Sequence, residues 1–473
     1  MLARSRLLAT ASIRATGSQG CVSTRCVFAG RSGKGRHFGT SSWPHNVVVH
    51  SALTRGIEDA MKEISRTSGS TLLVIDETAV VAGGSFFSIL LASLRAGAKA
   101  TLFTEFSPNP KCEEAEAAAE IIRRTRADVI VAIGGGSALD VAKVAALAGA
   151  CTKDEQAGAC RGIPMPHVTP LPLIACPTTS GTGSEGTQFA AIYDNGKKRS
   201  VDHQGLMPIA VVLDSRLKAS MPPSVAAVTG LDALAHCVES RWATGATPAG
   251  ISSARLGGST LLDSLPSALR SHAELRLQLG TRKRLMPDME LLSQLSGSTW
   301  KNSHNLILGD VDRVSTASYH AGKAIAECKT TAGHAMSYQL TQRYGVPHGL
   351  AVSLNLGHVA LANWTIANEI RLGNRPLTDC NHPDGPNAVI SAVEEACSWM
   401  GHGVTPETAP ATMMKLLLSL GLPSTLSEAN VPACDLLDLA ESVDPVRLGN
   451  NPIRFSTEDL HTILCTAHGV DSS

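Results

Sequence analysis

The first 57 residues of this 473-residue chain contain no aspartate or glutamate. A segment without acid that is rich in arginine and serine is typical of a mitochondrial or plastid transit peptide, and Arg36–Phe38 resembles a matrix-protease cleavage context. We therefore expect residues 1–42 to be a disordered transit peptide. We expect the mitochondrial matrix as the destination, with the plastid as the alternative. The other possibility is a disordered tail that has no targeting role. The segment's basic residues are Arg4, Arg6, Arg14, Arg25, Arg31, Lys34, Arg36 and Arg55.

The rest of the chain lacks several further features. Without these eight basic residues, 33 basic residues stand against 41 acidic ones, which does not favour nucleic-acid binding. No stretch approaches the 18 apolar residues of a membrane span, so we expect no membrane partner. The twelve cysteines contain no CxxC pair, which argues against a zinc knot or a disulfide framework.

Aromatic residues make up only 4% of the chain, and its apolar content comes largely from alanine, leucine and valine. Short apolar runs alternate with helical stretches between residues 43 and 220, which predicts a doubly wound, mostly parallel sheet. We expect strands at 71–75, 100–103, 128–133 and 173–175, helices at 86–94 and 112–126, and a loop at 153–172.

The character of the sequence changes after the pair Pro222–Pro223. Long helical segments dominate, at 225–241, 254–272, 288–302 and 315–327, and no comparable strands occur. We place a domain boundary near residue 220 and expect an all-α domain over residues 221–473.

Two loops with ligand-binding chemistry follow predicted strands. The first, GGGSALDVAK at 134–143, combines three glycines with a helix start, where backbone N–H groups favour an anion such as pyrophosphate. The second, PTTSGTGSE at 177–185, clusters hydroxyls and glycines at the edge of the sheet where α/β proteins bind ligands. Each loop alone could be an ordinary turn, but together they favour a nucleotide cleft.

Two further motifs lie in the helical half. Asp232 and His236 are four residues apart, so they share one helix face and are able to bind one metal. His334 and His348 occur in apolar, glycine-flanked settings, where a single histidine is more often a hydrogen-bonded core residue. One aspartate and three histidines, however, form a divalent-metal ligand set that leaves a position open for substrate.

These four motifs resemble those of iron-containing alcohol dehydrogenases, in the family's order and approximate spacing. GGGSALDVAK, PTTSGTGSE, GLDALAHCVE and GHAMSY…YGVPHG carry the resemblance, which extends from Asp76 to the C-terminal region around Asn451. It implies an α/β dinucleotide-binding domain followed by an all-helical metal domain, a dehydroquinate synthase-like architecture. The segment KTTAGHAMSY at 329–338 also resembles the branch of phosphonoacetaldehyde reductases.

The resemblance also implies site residues. It assigns a metal, ferrous iron with zinc as the alternative, to Asp232, His236, His334 and His348. It places the dinucleotide against Asp76, Asn109, Gly135, Gly136, Ser137, Asp140, Thr178, Thr179, Thr182 and Lys198. One departure concerns Tyr338, which stands where many members have a proton-relay histidine. Two roles are open for Tyr338: its phenol hydrogen-bonds the substrate oxygen or relays its proton, or the side chain fills space with its hydroxyl satisfied nearby.

The expected reaction is hydride transfer between a nicotinamide cofactor and a small alcohol or aldehyde, which includes phosphonoacetaldehyde-type and other acidic aldehydes. The metal acts as the Lewis acid. Asp76 is expected to favour NAD(H) over NADP(H), because its charge would repel a 2′-phosphate. We also expect a homo-oligomer, a dimer. The alternatives are a mitochondrial hydroxyacid–oxoacid transhydrogenase, a cyclising lyase resembling 3-dehydroquinate synthase, and a non-catalytic binding protein.

Overall fold

The computed structural model describes residues 47–50, 56–57, 70–76, 99–218, 221–280 and 298–470; of residues 47–50, 99, 216, 270–280 and 298–308 it describes the backbone alone. The predicted transit peptide and the predicted helix at 86–94 lie outside the described residues.

A six-stranded, all-parallel sheet forms the first half, in the order β1-β8-β5-β4-β2-β3, and β6 and β7 form a separate antiparallel hairpin. The strands are β1 (Val47–His50), β2 (Ser70–Ile75), β3 (Lys99–Phe103), β4 (Ala127–Gly134), β5 (Leu173–Pro177), β6 (Phe189–Asp194), β7 (Lys197–Asp202) and β8 (Ala210–Leu213).

Both faces of the sheet are covered. Side chains alternate between the faces of a strand, so Leu72 and Val74 of β2 enter one hydrophobic cluster while Leu73 and Ile75 enter another. The first cluster is built with helices α1 (Cys112–Thr125), α2 (Gly136–Ala150) and α3 (Gln156–Cys160). Burial on both faces explains why these strands are continuous apolar runs, as expected for a parallel sheet.

The second half is helical in every described element longer than an isolated bridge, and it surrounds a large core of its own. Together with the parallel sheet, this confirms the predicted fold class. The helices are α4 (Pro223–Trp242), α5 (Pro248–Gly280), α6 (Ser298–Cys328), α7 (Ala332–Tyr344), α8 (His348–Arg371), α9 (Gly385–Cys397), α10 (Ala409–Ser419), α11 (Leu436–Glu441), α12 (Pro445–Leu448) and α13 (Thr457–His468).

The structure corrects several element predictions. The predicted loop at 153–172 contains the short helix α3, and the predicted helices at 288–302 and 315–327 merge where described, into the single helix α6. The hairpin β6–β7 was not predicted, because five of the six residues of β7 are polar or charged and five are exposed or half-buried. The four-residue strand β8 was also missed, since its fully buried AVVL run lacks the alternation that marks a half-buried strand.

Helix α8 is long and apolar enough, by length and composition alone, to cross a membrane, which the sequence analysis did not expect of any stretch. Within the protein, 72% of its tested window is buried. It packs in the core of the helical half, so its apolar character has a structural explanation.

The strand order reverses beside β2. The chain passes from β2 to its neighbour β3 and then returns to place β4 on the other side of β2. Open α/β sheets bind ligands in the crevice at the carboxyl ends of the strands where the order reverses. Asp76 follows β2, and Gly135 and Gly136 follow β4, so these predicted cofactor contacts flank that crevice.

Candidate metal centre and dinucleotide cleft

Helix α4 presents Asp232 and His236 on one face, one turn apart. Proline at its first position is compatible with a helix start, and most of its residues are buried. The two side chains are themselves buried, and Nε2 of His236 lies 3.8 Å from Oδ1 of Asp232. The predicted helical pairing is therefore present.

Helices α7 and α8 bring the two remaining histidines to the same carboxylate. Nε2 of His334 lies 3.5 Å and Nε2 of His348 lies 3.8 Å from Oδ1 of Asp232. The ligand atoms of Asp232, His334 and His348 all lie within 4.8 Å of one another, and the rings of His236 and His334 stack at 4.7 Å. All four predicted ligands thus converge on one place.

Gly349 explains how α8 can begin so close to α4. A Cβ atom at position 349 would lie 2.1 Å from the carbonyl oxygen of Val228 and 3.0 Å from Cβ of Asp232. Only glycine permits this contact between the two backbones. The contact places His348, the first residue of α8, beside Asp232.

The donor atoms at this place fit a divalent cation. Oδ1 of Asp232 and Nε2 of His334 are buried and have no hydrogen-bond partner among the described residues. Buried polar atoms without partners are costly, and a cation between them would satisfy both. One carboxylate and three imidazoles suit iron or zinc.

Burial and charge set the protonation of the cluster. Burial lowers the pKa of His236 to about 4 and that of His348 to about 3, which keeps both imidazoles neutral, the form that binds metals. Burial also opposes a charge on His334, but Glu239 and Asp232 outweigh it and raise the pKa of His334 to about 10. Burial would raise the pKa of Asp232, but the three histidines outweigh it, so the carboxylate stays ionised.

Glu239 is a site residue that the sequence analysis did not single out. It is fully buried, and its carboxylate is hydrogen-bonded to Nδ1 of His334 and accepts the N–H of Thr331 at 3.1 Å. A carboxylate on Nδ1 fixes the imidazole with Nε2 directed at the ligand position. A usable signal existed: Glu239 lies three residues after His236 and seven after Asp232, hence on the same helix face.

Ser337 plays the corresponding part for His348. Its hydroxyl donates to the carbonyl oxygen of His334 at 2.8 Å and lies 3.3 Å from Nδ1 of His348. The serine oxygen therefore accepts from Nδ1–H, which leaves Nε2 of His348 free to act as a ligand.

The carboxyl ends of β2, β4 and β5 form the second part of the site. The N–H of Thr178 donates to the carbonyl of Gly134 at 2.9 Å, which holds the hydroxyl-rich loop against the glycine loop. Added Cβ atoms at Gly135 and Gly136 would lie 3.2 Å from Cγ2 of Thr179 and 3.0 Å from Cγ2 of Thr182. The two predicted loops are thus in direct contact.

Helix α2 starts at this contact without a side-chain cap. Gly135 is its N-cap residue, and it has no side chain to accept the N–H groups of the first turn. Uncapped N–H groups at a helix start favour a phosphate. This arrangement fits the predicted dinucleotide, with Asp76 following the neighbouring strand and Ser137 in the first turn of α2.

Three other predicted cofactor residues have different surroundings. Both carboxylate oxygens of Asp140 are engaged within the protein, by the hydroxyl of Ser184 at 2.9 Å and the N–H of Ala191 at 3.1 Å. Asn109 is exposed between β3 and α1, in a left-handed backbone conformation with φ of 58°. Lys198, on the hairpin strand β7, reaches the ring of Tyr338.

Tyr338 lies beside the predicted metal ligands, one turn after His334 on α7. Its ring stacks on that of His348 with centroids 5.7 Å apart, and two cations lie over it: Nζ of Lys198 at 4.5 Å and Cζ of Arg447 at 4.3 Å. Burial would raise the pKa of the phenol, but the charges of Lys198, His334 and Arg447 outweigh it and lower that pKa. Arg447 was not predicted, because no motif surrounds it.

Comparison with known proteins identifies the family of this chain. A family model described as iron-containing alcohol dehydrogenase matches residues 44–215, and the model of that family's C-terminal part matches residues 288–468. The chain belongs to the iron-containing alcohol dehydrogenase family. Membership confirms the resemblance seen in the four sequence motifs, and it makes the protein an oxidoreductase of the kind that acts on alcohols and aldehydes.

Individual members of the iron-containing alcohol dehydrogenase family align over most of the chain. Phosphonoacetaldehyde reductase of Streptomyces viridochromogenes is 31% identical over 74% of this chain and 78% of its own length. Alcohol dehydrogenase 4 of Saccharomyces cerevisiae is 26% identical over 87% of this chain and 94% of its own. The crystal structure of sulfoacetaldehyde reductase from Bifidobacterium kashiwanohense in complex with NAD+ superposes with a TM-score of 0.70, at 26% identity, over 92% of this chain and 100% of that one.

Proposed function

We propose that this chain is a metal-dependent, NAD(H)-linked reductase of a small aldehyde that carries an acidic group, such as phosphonoacetaldehyde. The observation that carries the proposal is the convergence of Asp232 Oδ1 and His334 Nε2, both buried and without a hydrogen-bond partner in the described part of the chain. The names of two relatives, a phosphonoacetaldehyde reductase and a sulfoacetaldehyde reductase, support the acidic substrate.

The proposed metal is ferrous iron, held by Asp232, His236, His334 and His348, and zinc suits the same donors. When bound, such an ion supplies Lewis acidity to the carbonyl oxygen of the substrate. Glu239 and Ser337 act through the ligands, because each fixes the Nδ1 side of one imidazole.

The chain's own residues then orient the substrate and move its proton. The ring of Tyr338 stacks on that of His348, beside the proposed metal ligands. Since Lys198 and Arg447 lower the pKa of the phenol, its proton is released more readily than that of an ordinary tyrosine. This supports a role for Tyr338 as proton donor to the product alkoxide, with return of the proton from solvent.

The proposed cofactor preference is NAD(H) over NADP(H). Asp76 follows β2, and a Cβ atom added at Gly134 would lie 3.1 Å from Cβ of Asp76, so the Asp76 side chain begins beside the glycine loop. A negative charge at this place accepts hydrogen bonds from an adenosine ribose and repels a 2′-phosphate.

Two further proposals concern the whole protein. Residues 1–42 are proposed to direct it to the mitochondrial matrix, on the strength of their arginine content and the absence of acid. A fusion of residues 1–42 to a fluorescent protein should accumulate in mitochondria, and a cytosolic signal would refute this. A homodimer is proposed as the assembly, and the mass in solution at micromolar concentration tests it.

The substrate proposal is tested with anaerobically purified protein, ferrous iron, NADH and a panel of aldehydes. We expect NADH oxidation, fastest with phosphonoacetaldehyde or sulfoacetaldehyde and slower with acetaldehyde. A second arm supplies a hydroxyacid and an oxoacid without free NADH. Exchange in that arm alone would establish a transhydrogenase, and no reaction in either arm would overturn the proposed function.

A further inference from the structure

Arg447 lies over the one phenol that stands beside the metal ligands. Its Cζ is 4.3 Å from the ring centroid of Tyr338, and that ring stacks on the imidazole of His348. Nζ of Lys198 lies 4.5 Å from the same centroid. Two cations therefore lie over the ring that is next to the proposed metal site.

Neither cation forms an ion pair with a buried carboxylate of the described residues. The only acidic partner of Arg447 within the described residues is the half-exposed Asp444, whose Oδ2 is 3.6 Å from Nε and whose Oδ1 accepts the N–H of Val446. Among the described residues, the guanidinium of Arg447 has no hydrogen-bond partner. Nζ of Lys198 forms neither a hydrogen bond nor an ion pair with any of them. About a third of the Arg447 side chain, 36%, remains exposed, so its donors can be reached from solution.

Arg447 is also held in position. It lies on the short helix α12, which begins at Pro445 and is capped by the carboxylate of Asp444. Just after this helix, the side-chain amide of Asn450 donates to the carbonyls of Cys328 and Thr330 at 2.9 and 3.0 Å. These bonds tie α12 to the chain that leads directly into α7, the helix of His334 and Tyr338. The position of α12 relative to α7 is thus fixed by the fold.

We propose that Arg447 is the specificity-determining residue that binds the anionic group of the substrate, with its guanidinium fork on two oxygens of a phosphonate, sulfonate or carboxylate. The proposal rests on the proposed aldehyde reductase function. A guanidinium binds such planar or tetrahedral oxyanions through paired hydrogen bonds. Lys198 adds positive charge over the same ring.

The alternative interpretation is that Arg447 only packs on Tyr338 through a cation–π contact. The two interpretations predict different effects of the charge of the substrate. A packing residue affects neutral and acidic aldehydes alike, whereas an anion-binding residue affects the acidic aldehyde selectively. Phosphonoacetaldehyde and 3,3-dimethylbutanal form a suitable pair, because the second replaces the phosphonate by an uncharged tetrahedral group.

The test compares R447Q, R447K and the control R454Q in the iron-loaded enzyme. Arg454 is an exposed arginine seven residues further on, so R454Q makes the same charge change away from the site. We expect R447Q to lower the ratio of kcat/KM for phosphonoacetaldehyde to that for 3,3-dimethylbutanal about tenfold or more. R447K should lower it less, and R454Q should change it less than about twofold.

A binding measurement gives a readout that does not depend on turnover. Ethylphosphonate, an unreactive analogue of the acidic tail, should bind the iron- and NADH-loaded protein, and R447Q should weaken that binding about tenfold or more. Three results in R447Q would overturn the proposal. They are an equal loss of kcat/KM for both aldehydes, ethylphosphonate affinity unchanged from the parent, and a loss of NADH affinity as large as the loss of ethylphosphonate affinity. If the parent reduces no aldehyde at all, the proposed function fails, and ethylphosphonate binding still decides whether Arg447 binds an anion.

Discussion

Nδ1 of His334 is hydrogen-bonded to the carboxylate of Glu239, a residue on the same helix face as Asp232 and His236. Glu239 also accepts the hydroxyl of Thr331 at 2.9 Å, so its two oxygens are shared between the histidine and the residue that precedes α7. This carboxylate fixes which nitrogen of His334 faces the other ligands. The helix that supplies two ligands therefore also orients a third.

Replacing Glu239 by glutamine should weaken metal binding roughly 10- to 100-fold, because an amide neither fixes the tautomer nor adds basicity to His334. Competition of ferrous or zinc ions with a chelator of known affinity measures this. Glu441, exposed on α11, provides the matched control, since E441Q makes the same change far from the ligands. Equal metal affinities in E239Q and the parent would remove Glu239 from the site.

Replacing Gly349 by alanine should separate α8 from α4. The added methyl group would meet the carbonyl oxygen of Val228 at 2.1 Å, and backbone shifts of this kind cost about 1–3 kcal/mol. We expect a lower Tm and weaker metal binding together, because the shift moves His348. Gly309 on α6 has no atom within 4 Å of an added Cβ, so G309A should leave Tm unchanged or raise it. A G349A protein as stable as the parent would contradict the close approach.

Replacing Tyr338 by phenylalanine deletes the phenolic oxygen and keeps the ring that packs on His348. Turnover should fall roughly tenfold or more, with metal content and NADH affinity preserved, if the hydroxyl orients the substrate or passes its proton. Steady-state rates across the pH range measure this. A variant as fast as the parent at every pH would assign Tyr338 to packing alone.

Replacing Asp76 by glycine should shift the preference between cofactors toward NADP(H), because it removes the negative charge that faces a 2′-phosphate. The quantity to compare is the ratio of kcat/KM with NADH to that with NADPH. D154G, at an exposed turn position, is the control for a general loss of an acid. An unchanged ratio in D76G would show that another group discriminates between the cofactors.

Much of the site could be predicted from local sequence because its residues occur in short motifs. Asp232 and His236 share a helix turn, and the glycine and hydroxyl loops directly follow buried strands. Such local patterns can be recognised in a sequence before the fold is known. The alternation of strands and helices likewise predicted the parallel sheet, because β2, β3, β4 and β5 each contain a short apolar run.

The remaining features depend on contacts between distant segments. Arg447 contacts Tyr338, which is 109 positions earlier in the sequence, and no motif around Arg447 predicts the contact. Lys198 was expected at the cofactor, but its place over Tyr338 depends on the hairpin of β6 and β7, whose polar second strand gives no apolar signal. The role of Gly349 likewise becomes visible only when α4 and α8 are packed together.

The central claim is that Asp232, His236, His334 and His348 hold the metal on which turnover depends. Metal content and NADH-dependent aldehyde reduction should be measured side by side for the iron-reconstituted parent, D232A, H348A and D263A, the last an exposed aspartate on α5. We expect about one ferrous ion per chain and turnover in the parent and D263A, and loss of both in D232A and H348A with NADH binding retained. Full metal content and full activity in D232A or H348A would contradict the account.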